Sequence, residues 1–170
     1  DPPPPPAAPL AARTLVAQGI DPHQLALATG AGAVRAGNRT IAEFLEQLQP
    51  TAQDALWMLS APGVIVSWKE DAPLRRALIG LIQQQSPELL QAPEKLPQPT
   101  RLALAEYYAD QRSPRAEEIY QAVLQEEFPA GTWWPKLWVM NAFAEYYGAM
   151  GEYVKAAQAK LQIGAETTAA

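Results

Sequence analysis

Apolar residues recur along this chain with the spacing of an amphipathic helix, in which positions i, i+3, i+4 and i+7 share one face. Two runs show this spacing clearly: Ile41, Phe44, Leu45 and Leu48, and then Leu74, Ala77, Leu78, Leu81 and Ile82. The first run predicts a helix that Pro50 ends, and the second predicts a helix that starts near Asp71. The one β-like run, residues 64–66, has no second strand to pair with. The pattern therefore predicts an all-α fold.

Start signals place further helices in the first half of the chain. Asp21 followed by Pro22 is typical of a helix N-terminus, because aspartate caps well and proline fits the first turn. We predict short helices on both sides of this point, within residues 10–28. Residues 29–37 are rich in glycine and alanine and predict a loop. Thr51 is placed to cap the helix that follows Pro50.

The chain has 17 prolines in 170 residues, and they cluster. Residues 2–9 predict a stiff polyproline-type arm, suited to tethering a domain or to lying along another protein. Three prolines close together in the middle of the chain predict an extended connector. The predicted organisation is an arm at residues 1–9, an N-terminal helical region at 10–91, the connector at 92–99, a pair of helical hairpins at 100–163 and a tail at 164–170.

The second half contains an internal repeat. The sequence Ala105-Glu106-Tyr107-Tyr108 returns 39 residues later as Ala144-Glu145-Tyr146-Tyr147. Each copy lies on the first of two consecutive helical patterns, which are joined by a turn. Repeats of this kind are helical hairpins that bury their apolar faces by stacking on one another. We therefore predict two stacked antiparallel hairpins.

This repeat resembles the tetratricopeptide repeat, whose hairpins combine an apolar and small pair, a tyrosine, a tight turn, an alanine and a later aromatic residue. The matching positions are Leu104, Ala105, Tyr108, Ala116 and Tyr120 in the first copy and Phe143, Ala144, Tyr147, Gly151, Tyr153 and Ala156 in the second. The offset of 39 residues exceeds the roughly 34 that is typical of the family, because residues 128–135 are inserted. Lys160 also stands where the second copy should carry its late aromatic residue.

In that family the first helix of each hairpin faces a concave groove, so the resemblance implies which side chains would contact a partner. They are Glu106, Asp110, Trp138, Asn141 and Glu145. The lysine and asparagine set with which some relatives hold a C-terminal carboxylate is not evident in this sequence. The resemblance therefore favours a basic or neutral ligand.

Tryptophan is concentrated around the insertion between the repeats. Trp133 and Trp134 lie between Pro129 and Pro135, and Trp138 follows in the next helical pattern. Tryptophan is enriched at binding hot spots, and a loop that prolines stiffen loses little entropy when a partner orders it. We predict that these three rings anchor a partner. The alternative is that they pack between the two hairpins as core.

Charge and residue usage narrow the function. The net charge of −5 opposes binding to nucleic acid or to anionic membrane surfaces, both of which require a basic face. The longest uncharged stretch, residues 55–68, is interrupted by Pro62 and Gly63 and is too short to span a bilayer. The chain has no cysteine and one histidine, His23, at a predicted helix start. We recognise no metal set, cofactor motif or catalytic constellation and therefore predict no enzyme, no cofactor and no metal.

We predict a non-catalytic scaffold or protein–protein interaction module, an accessory subunit docked through other protein subunits on a larger assembly, which can be membrane-associated. The main alternative is a periplasmic or extracellular helical module that serves cell-wall or membrane machinery. The extracytoplasmic side of a membrane is the location we favour. A stand-alone hydrolase is a further alternative, since distant carboxylates can meet in three dimensions.

Overall fold

The computed structural model describes residue 19 and residues 21–169. Every regular element among these residues is helical, which confirms the predicted all-α class. The proline-rich arm and the helix predicted before Gly19 fall outside the described residues. The chain divides into two compact units, residues 1–50 and residues 51–170. The division follows Pro50, the residue predicted to end a helix.

The first unit contains helices α1 (Pro22–Arg35) and α2 (Ile41–Leu48), which pack on each other. Asp21 caps α1, because its Oδ1 accepts a hydrogen bond from the backbone amide of His23 at 2.7 Å. Pro22 occupies the first turn of the helix. The start signal predicted from these two residues is therefore confirmed.

The loop predicted at residues 29–37 is wrong, because α1 continues to Arg35. Gly30 explains the continuation: a Cβ atom at this position would lie 2.7 Å from the ring of Phe44 and 2.9 Å from Leu48 of α2. The absence of a side chain thus allows the two helices to approach each other. Packing against the fully buried Phe44 offsets the low helix propensity of glycine.

The second unit begins with α3 (Ala52–Ser60) and α4 (Ala72–Gln85), which pack on each other. Thr51 caps α3 through a reciprocal pair of hydrogen bonds. Its Oγ1 accepts from the Asp54 amide at 3.1 Å, and Asp54 Oδ2 accepts from the Thr51 amide at 2.9 Å. The apolar stripe of α4 is buried, and its members are Leu74, Leu78, Ile79 and Ile82. Both helices match their predicted signals.

Asp71 precedes α4 as expected, but its side chain does not cap that helix. Instead Oδ2 accepts hydrogen bonds from the backbone amides of Val66 at 2.8 Å and Ser67 at 2.9 Å. The carboxylate therefore fixes the preceding loop rather than the following helix. The apolar run at residues 64–66 lies in this irregular segment and forms no strand.

Two short 3-10 turns, Pro87–Leu90 and Pro93–Lys95, follow α4. The connector that we expected to be extended at residues 92–99 therefore contains a helical turn. The next helix, α5 (Gln98–Asp110), begins within this segment and packs against α3 and α4. The connector thus lies inside the second unit.

Two helical hairpins complete the second unit. Helix α5 pairs with α6 (Arg115–Leu124), and α7 (Lys136–Ala149) pairs with α8 (Tyr153–Ala169). The two hairpins contact each other through α6 and α7. At this contact the ring of Tyr120 stacks on that of Phe143, with centroids 5.2 Å apart. The residues predicted to be a tail continue α8 as far as Ala169.

The core between the hairpin helices includes several of the repeat positions. Tyr108, Ala116 and Tyr147 are buried, whereas Ala156 is only half buried. Helix α8 is the last described helix, and no described residue covers its outer side. Three large apolar residues are exposed on it: Tyr153, Val154 and Leu161.

Candidate functional site

Two neighbouring hollows lie beside α4, α5, α7 and the loop at residues 66–69. The first, the tryptophan hollow, has a volume of about 500 Å³. Its lining includes Trp68, Trp133, Trp138, Asn141 and Glu145. The second, the Tyr120 hollow, has a volume of about 380 Å³. Its lining includes Arg76, Glu106, Asp110, Tyr120 and Tyr146. The two hollows meet, because four residues line both of them: Trp68, Lys69, Ala142 and Glu145.

The guanidinium of Arg75 lies beneath this face and is fully buried. It forms a bidentate ion pair with Glu106, in which Nε lies 2.8 Å from Oε1 and Nη2 lies 2.9 Å from Oε2. Its Cζ lies 4.2 Å from the ring centroid of Trp133 and 5.6 Å from that of Trp68. The cation is thus held by a carboxylate and two aromatic rings, which together compensate its burial.

Buried charged groups also hold the loop at residues 66–69. Arg75 Nη1 donates to the carbonyl of Ser67 at 2.8 Å, and Nη2 donates to the carbonyl of Trp68. The buried carboxylate of Asp71 accepts from two amides of the same loop. Two amides and two carbonyls of this loop are therefore bound to fixed partners. The loop is preorganised and holds Trp68 at the edge of both hollows.

The environment changes the acidity of two groups at the Tyr120 hollow. Burial raises the pKa of the Glu106 carboxyl, and the hydrogen bond and charge of Arg75 oppose this rise. Burial also raises the pKa of the Tyr120 hydroxyl, and the carboxylates of Glu106 and Asp110 raise it further. Tyr120 belongs to α6 but its side chain reaches the hollow between α5 and α7. Its hydroxyl therefore remains protonated at neutral pH.

The three tryptophans predicted as anchors have different environments. Trp133 is only 7% exposed and packs on Trp68 with ring centroids 5.9 Å apart, so it belongs to the core. Trp134 is half buried, and its Nε1 donates to Gln98 Oε1 at 2.6 Å. Trp138 is 51% exposed, and its ring lies 6.2 Å from that of Trp68 at an angle of 63°. Of the three rings, Trp138 is the most open to a partner.

The five groove residues predicted from the resemblance all line these two hollows. Glu106 and Asp110 come from α5, while Trp138, Asn141 and Glu145 come from α7. The structure therefore brings these residues to one face, although they come from two different hairpins.

The acids on this face differ in their partners. Glu106 is engaged by Arg75, and Asp110 Oδ2 lies 3.4 Å from Nε of Arg76 at the surface. Glu145 Oε1 accepts a hydrogen bond from Asn141 Nδ2 at 3.1 Å. Among the residues that the structure describes, Glu145 makes no ion pair.

Sequence reasoning did not identify Trp68, Lys69 or Arg75 as part of this face. Trp68 and Lys69 lie in a loop without periodicity, so no pattern marked them. Arg75 did leave a signal, because it stands three and four residues before Leu78 and Ile79 on the apolar face of α4. A charged residue at such a position needs a buried partner, and Glu106 supplies it.

A further groove of about 450 Å³ lies beside α6, α7 and α8. Polar side chains bridge it: Tyr147 Oη donates to Glu117 Oε1 at 2.9 Å, and Lys155 Nζ lies 3.5 Å from the same oxygen. These contacts tie α7 and α8 to α6. The groove therefore has an evident role in holding the two hairpins together.

Comparisons of the chain with protein-family models, with curated proteins and with solved structures find no match. Among the residues that the structure describes, no three His, Asp or Glu side chains are grouped to hold a metal ion. None of the described helices is both long and apolar enough to cross a membrane. The geometry of the two hollows is therefore the basis for a functional proposal.

Proposed function

We propose that this protein is a non-catalytic interaction module, an accessory or scaffold subunit that docks onto other protein subunits through the face bearing the two hollows. The observation that carries the proposal is a half-exposed tryptophan, Trp138, beside a loop that buried charges hold rigid. Exposed tryptophans in preformed hollows are typical binding hot spots. A rigid loop also loses little entropy on binding.

We propose that the two hairpins have a tetratricopeptide-like arrangement, which would suit this role. Helix α5 packs on α6, α7 packs on α8, and α6 contacts α7, as stacked hairpins require. Small residues lie at the helix contacts, since Ala105, Ala116 and Ala144 are almost fully buried. The first helices α5 and α7 line the two hollows, which is where this kind of fold would receive a ligand.

The acids on this face favour binding over hydrolysis. A carboxylate hydrolase needs two carboxyl groups that face the substrate in different protonation states. Glu106 is held by Arg75, and Asp110 lies beside Arg76. This leaves Glu145 as the acid on this face that no described cation engages. The available groups suit recognition of a polar or charged ligand better than proton transfer in a pair.

The proposal is tested by comparing two alanine variants of α7. Trp138→Ala removes the open ring, whereas Leu137→Ala removes the neighbouring side chain, which is 41% exposed and lines neither hollow. The size of the native assembly is measured in extracts of producing cells by gel filtration. We expect the wild type and Leu137→Ala to run far above the monomer mass and Trp138→Ala to run near it. A wild type that runs as a monomer, or a Trp138→Ala variant that stays in the assembly, would refute the proposal.

A further inference from the structure

We infer that the tryptophan hollow binds an arginine side chain of the partner, stacked on Trp138 and Trp68 and paired with Glu145. This inference rests on the proposed function and specifies the chemistry of its ligand. The hollow combines aromatic ring faces with a carboxylate that no described cation engages. Such a combination attracts a cation, because the face of an indole ring carries partial negative charge.

The protein already contains one example of this arrangement. Inside the fold, the Arg75 guanidinium stacks over Trp133 at 4.2 Å and pairs with Glu106. In the tryptophan hollow, Trp138 and Glu145 share the lining with Trp68, whose ring lies 6.2 Å from that of Trp138. The two places thus offer the same pair of groups, one filled by an internal arginine and the other open to solvent.

The side chains of α7 are positioned for such a ligand. Trp138, Asn141 and Glu145 are spaced i, i+3 and i+7, which places them on one face of the helix. Asn141 donates to Glu145 and in turn accepts from Lys160 Nζ at 2.5 Å, so the carboxylate is oriented before a ligand arrives. Ala142 also lines the hollow, and its small side chain leaves room above the helix.

Among the described residues that line the tryptophan hollow, Lys69 is the one base, so the hollow carries a positive as well as a negative side chain. Lys69 is exposed and makes no described ion pair, so its long side chain can turn toward water. Glu145 is held in place by Asn141. The ring faces also repel anions and attract cations. We therefore assign a cation, and among cations a guanidinium, because its plane stacks on indole and its fork matches a carboxylate.

The probe is the peptide acetyl-Ala-Ala-Ala-Arg-Ala-Ala-Ala-amide, titrated against the whole chain while the NMR signal of the Trp138 indole N–H is followed. The control peptide carries citrulline, which has nearly the shape of arginine but no charge. We expect saturable binding of the arginine peptide and at least about fivefold weaker binding of the citrulline peptide, the size of a partly desolvated cation–π contact. Equal affinity for the two peptides would overturn the inference.

Two charge variants test the sign of the ligand. Glu145→Gln should weaken the arginine peptide about fivefold or more, whereas Lys69→Gln should strengthen it, and Leu137→Ala should leave it unchanged. Weaker arginine binding by Lys69→Gln, or unchanged binding by Glu145→Gln, would overturn the inference.

The two proposals can fail separately. If the Trp138→Ala variant is lost from the native assembly but the wild type binds the two peptides equally, only the arginine inference fails. If the wild type prefers the arginine peptide but Trp138→Ala stays in the assembly, the proposed function fails.

Discussion

Arg75 is a single buried charge that holds together a site whose side chains lie far apart in the sequence. Its neighbours on the apolar face of α4 are packed as core, yet its guanidinium binds Glu106 on α5 and two carbonyls of the loop before α4. Without Arg75, the Glu106 carboxylate and the Trp68 carbonyl would lose their described hydrogen-bond donor, whereas the Ser67 carbonyl would keep the bond from the Asp71 amide at 3.3 Å. A buried ion pair is not by itself strong evidence of stability, because desolvation offsets its attraction. The Trp68 carbonyl makes this pair different, since Arg75 is its one described hydrogen-bond donor.

Replacing Arg75 by methionine should therefore lower the free energy of unfolding by about 2 to 4 kcal/mol, because it leaves the Glu106 carboxyl and the Trp68 carbonyl unpaired. Urea denaturation measures the change. The matched control is Arg76→Met, which removes a neighbouring cation whose ion pair with Asp110 is about half exposed, at 46% and 53%. That change should stay below about 1 kcal/mol. Equal stability of the two variants would contradict this account of Arg75.

The same variant has a defined pH dependence. Burial raises the pKa of Glu106, and Arg75 opposes the rise, so the pKa should rise further in Arg75→Met. A carboxyl whose folded pKa exceeds its unfolded pKa contributes stability at low pH and loses it as pH rises through the folded value. The deficit of the variant relative to wild type should therefore be smallest below pH 4.5, the ordinary value for glutamate, and should grow toward neutral pH. A deficit that does not change with pH would contradict this cause.

At the scale of elements, the spacing of apolar residues was sufficient to predict α2 and α4. Cap residues were sufficient to predict where α1 and α3 start. The glycine and alanine content of residues 29–37 led to the wrong prediction of a loop. Helix propensity describes a helix exposed to water, whereas α1 packs on Phe44. Asp71 marked the start of α4 correctly, but its carboxylate is bound by the loop before that helix and does not cap it. Local signals thus failed where tertiary contacts decide.

Gly30 allows this explanation of α1 to be tested. Gly30→Ala should destabilise the first unit by about 1 to 3 kcal/mol, because the new Cβ would lie 2.7 Å from the buried ring of Phe44. Gly32→Ala, in the same helix, would place its Cβ no closer than 3.9 Å to Arg35 Nη1 and should stabilise the helix by up to about 1 kcal/mol. Thermal unfolding followed by circular dichroism separates the two. Stabilisation by both substitutions would show that helix packing does not require this glycine.

At the scale of the whole molecule, the helical class that the sequence predicted is confirmed. The five predicted groove residues line the two hollows, but their role in binding stays a prediction. The resemblance implied Glu106, Asp110, Asn141 and Glu145, because in that family the first helix of each hairpin faces one groove. It could not show that Glu106 is engaged by Arg75, since that contact comes from α4, outside the repeat. The clustering of tryptophans in the sequence also could not show that Trp133 is buried beneath the face whereas Trp138 is exposed on it.

Within this cluster of rings, we expect Trp133 to contribute to stability and Trp138 to contribute to recognition of a partner. Trp133 is buried against Trp68 and stacks on Arg75, so Trp133→Ala should cost about 3 to 5 kcal/mol of stability, as for other large core residues. Trp138 is half exposed, so Trp138→Ala should cost less than about 1 kcal/mol while reducing retention in the native assembly. Melting temperature and assembly size are measured on the same preparations.

The matched substitutions make the two roles separable. If both variants lose the same stability, Trp138 belongs to the core, and its effect on assembly follows from unfolding rather than from a lost contact. If Trp133→Ala melts with the wild type, the stack of Arg75 between ring and carboxylate is not what holds the loop at residues 66–69. The expected order, with Trp133 governing the fold and Trp138 governing retention, requires a rigid base beneath an open ring, and this is the arrangement that the second unit presents.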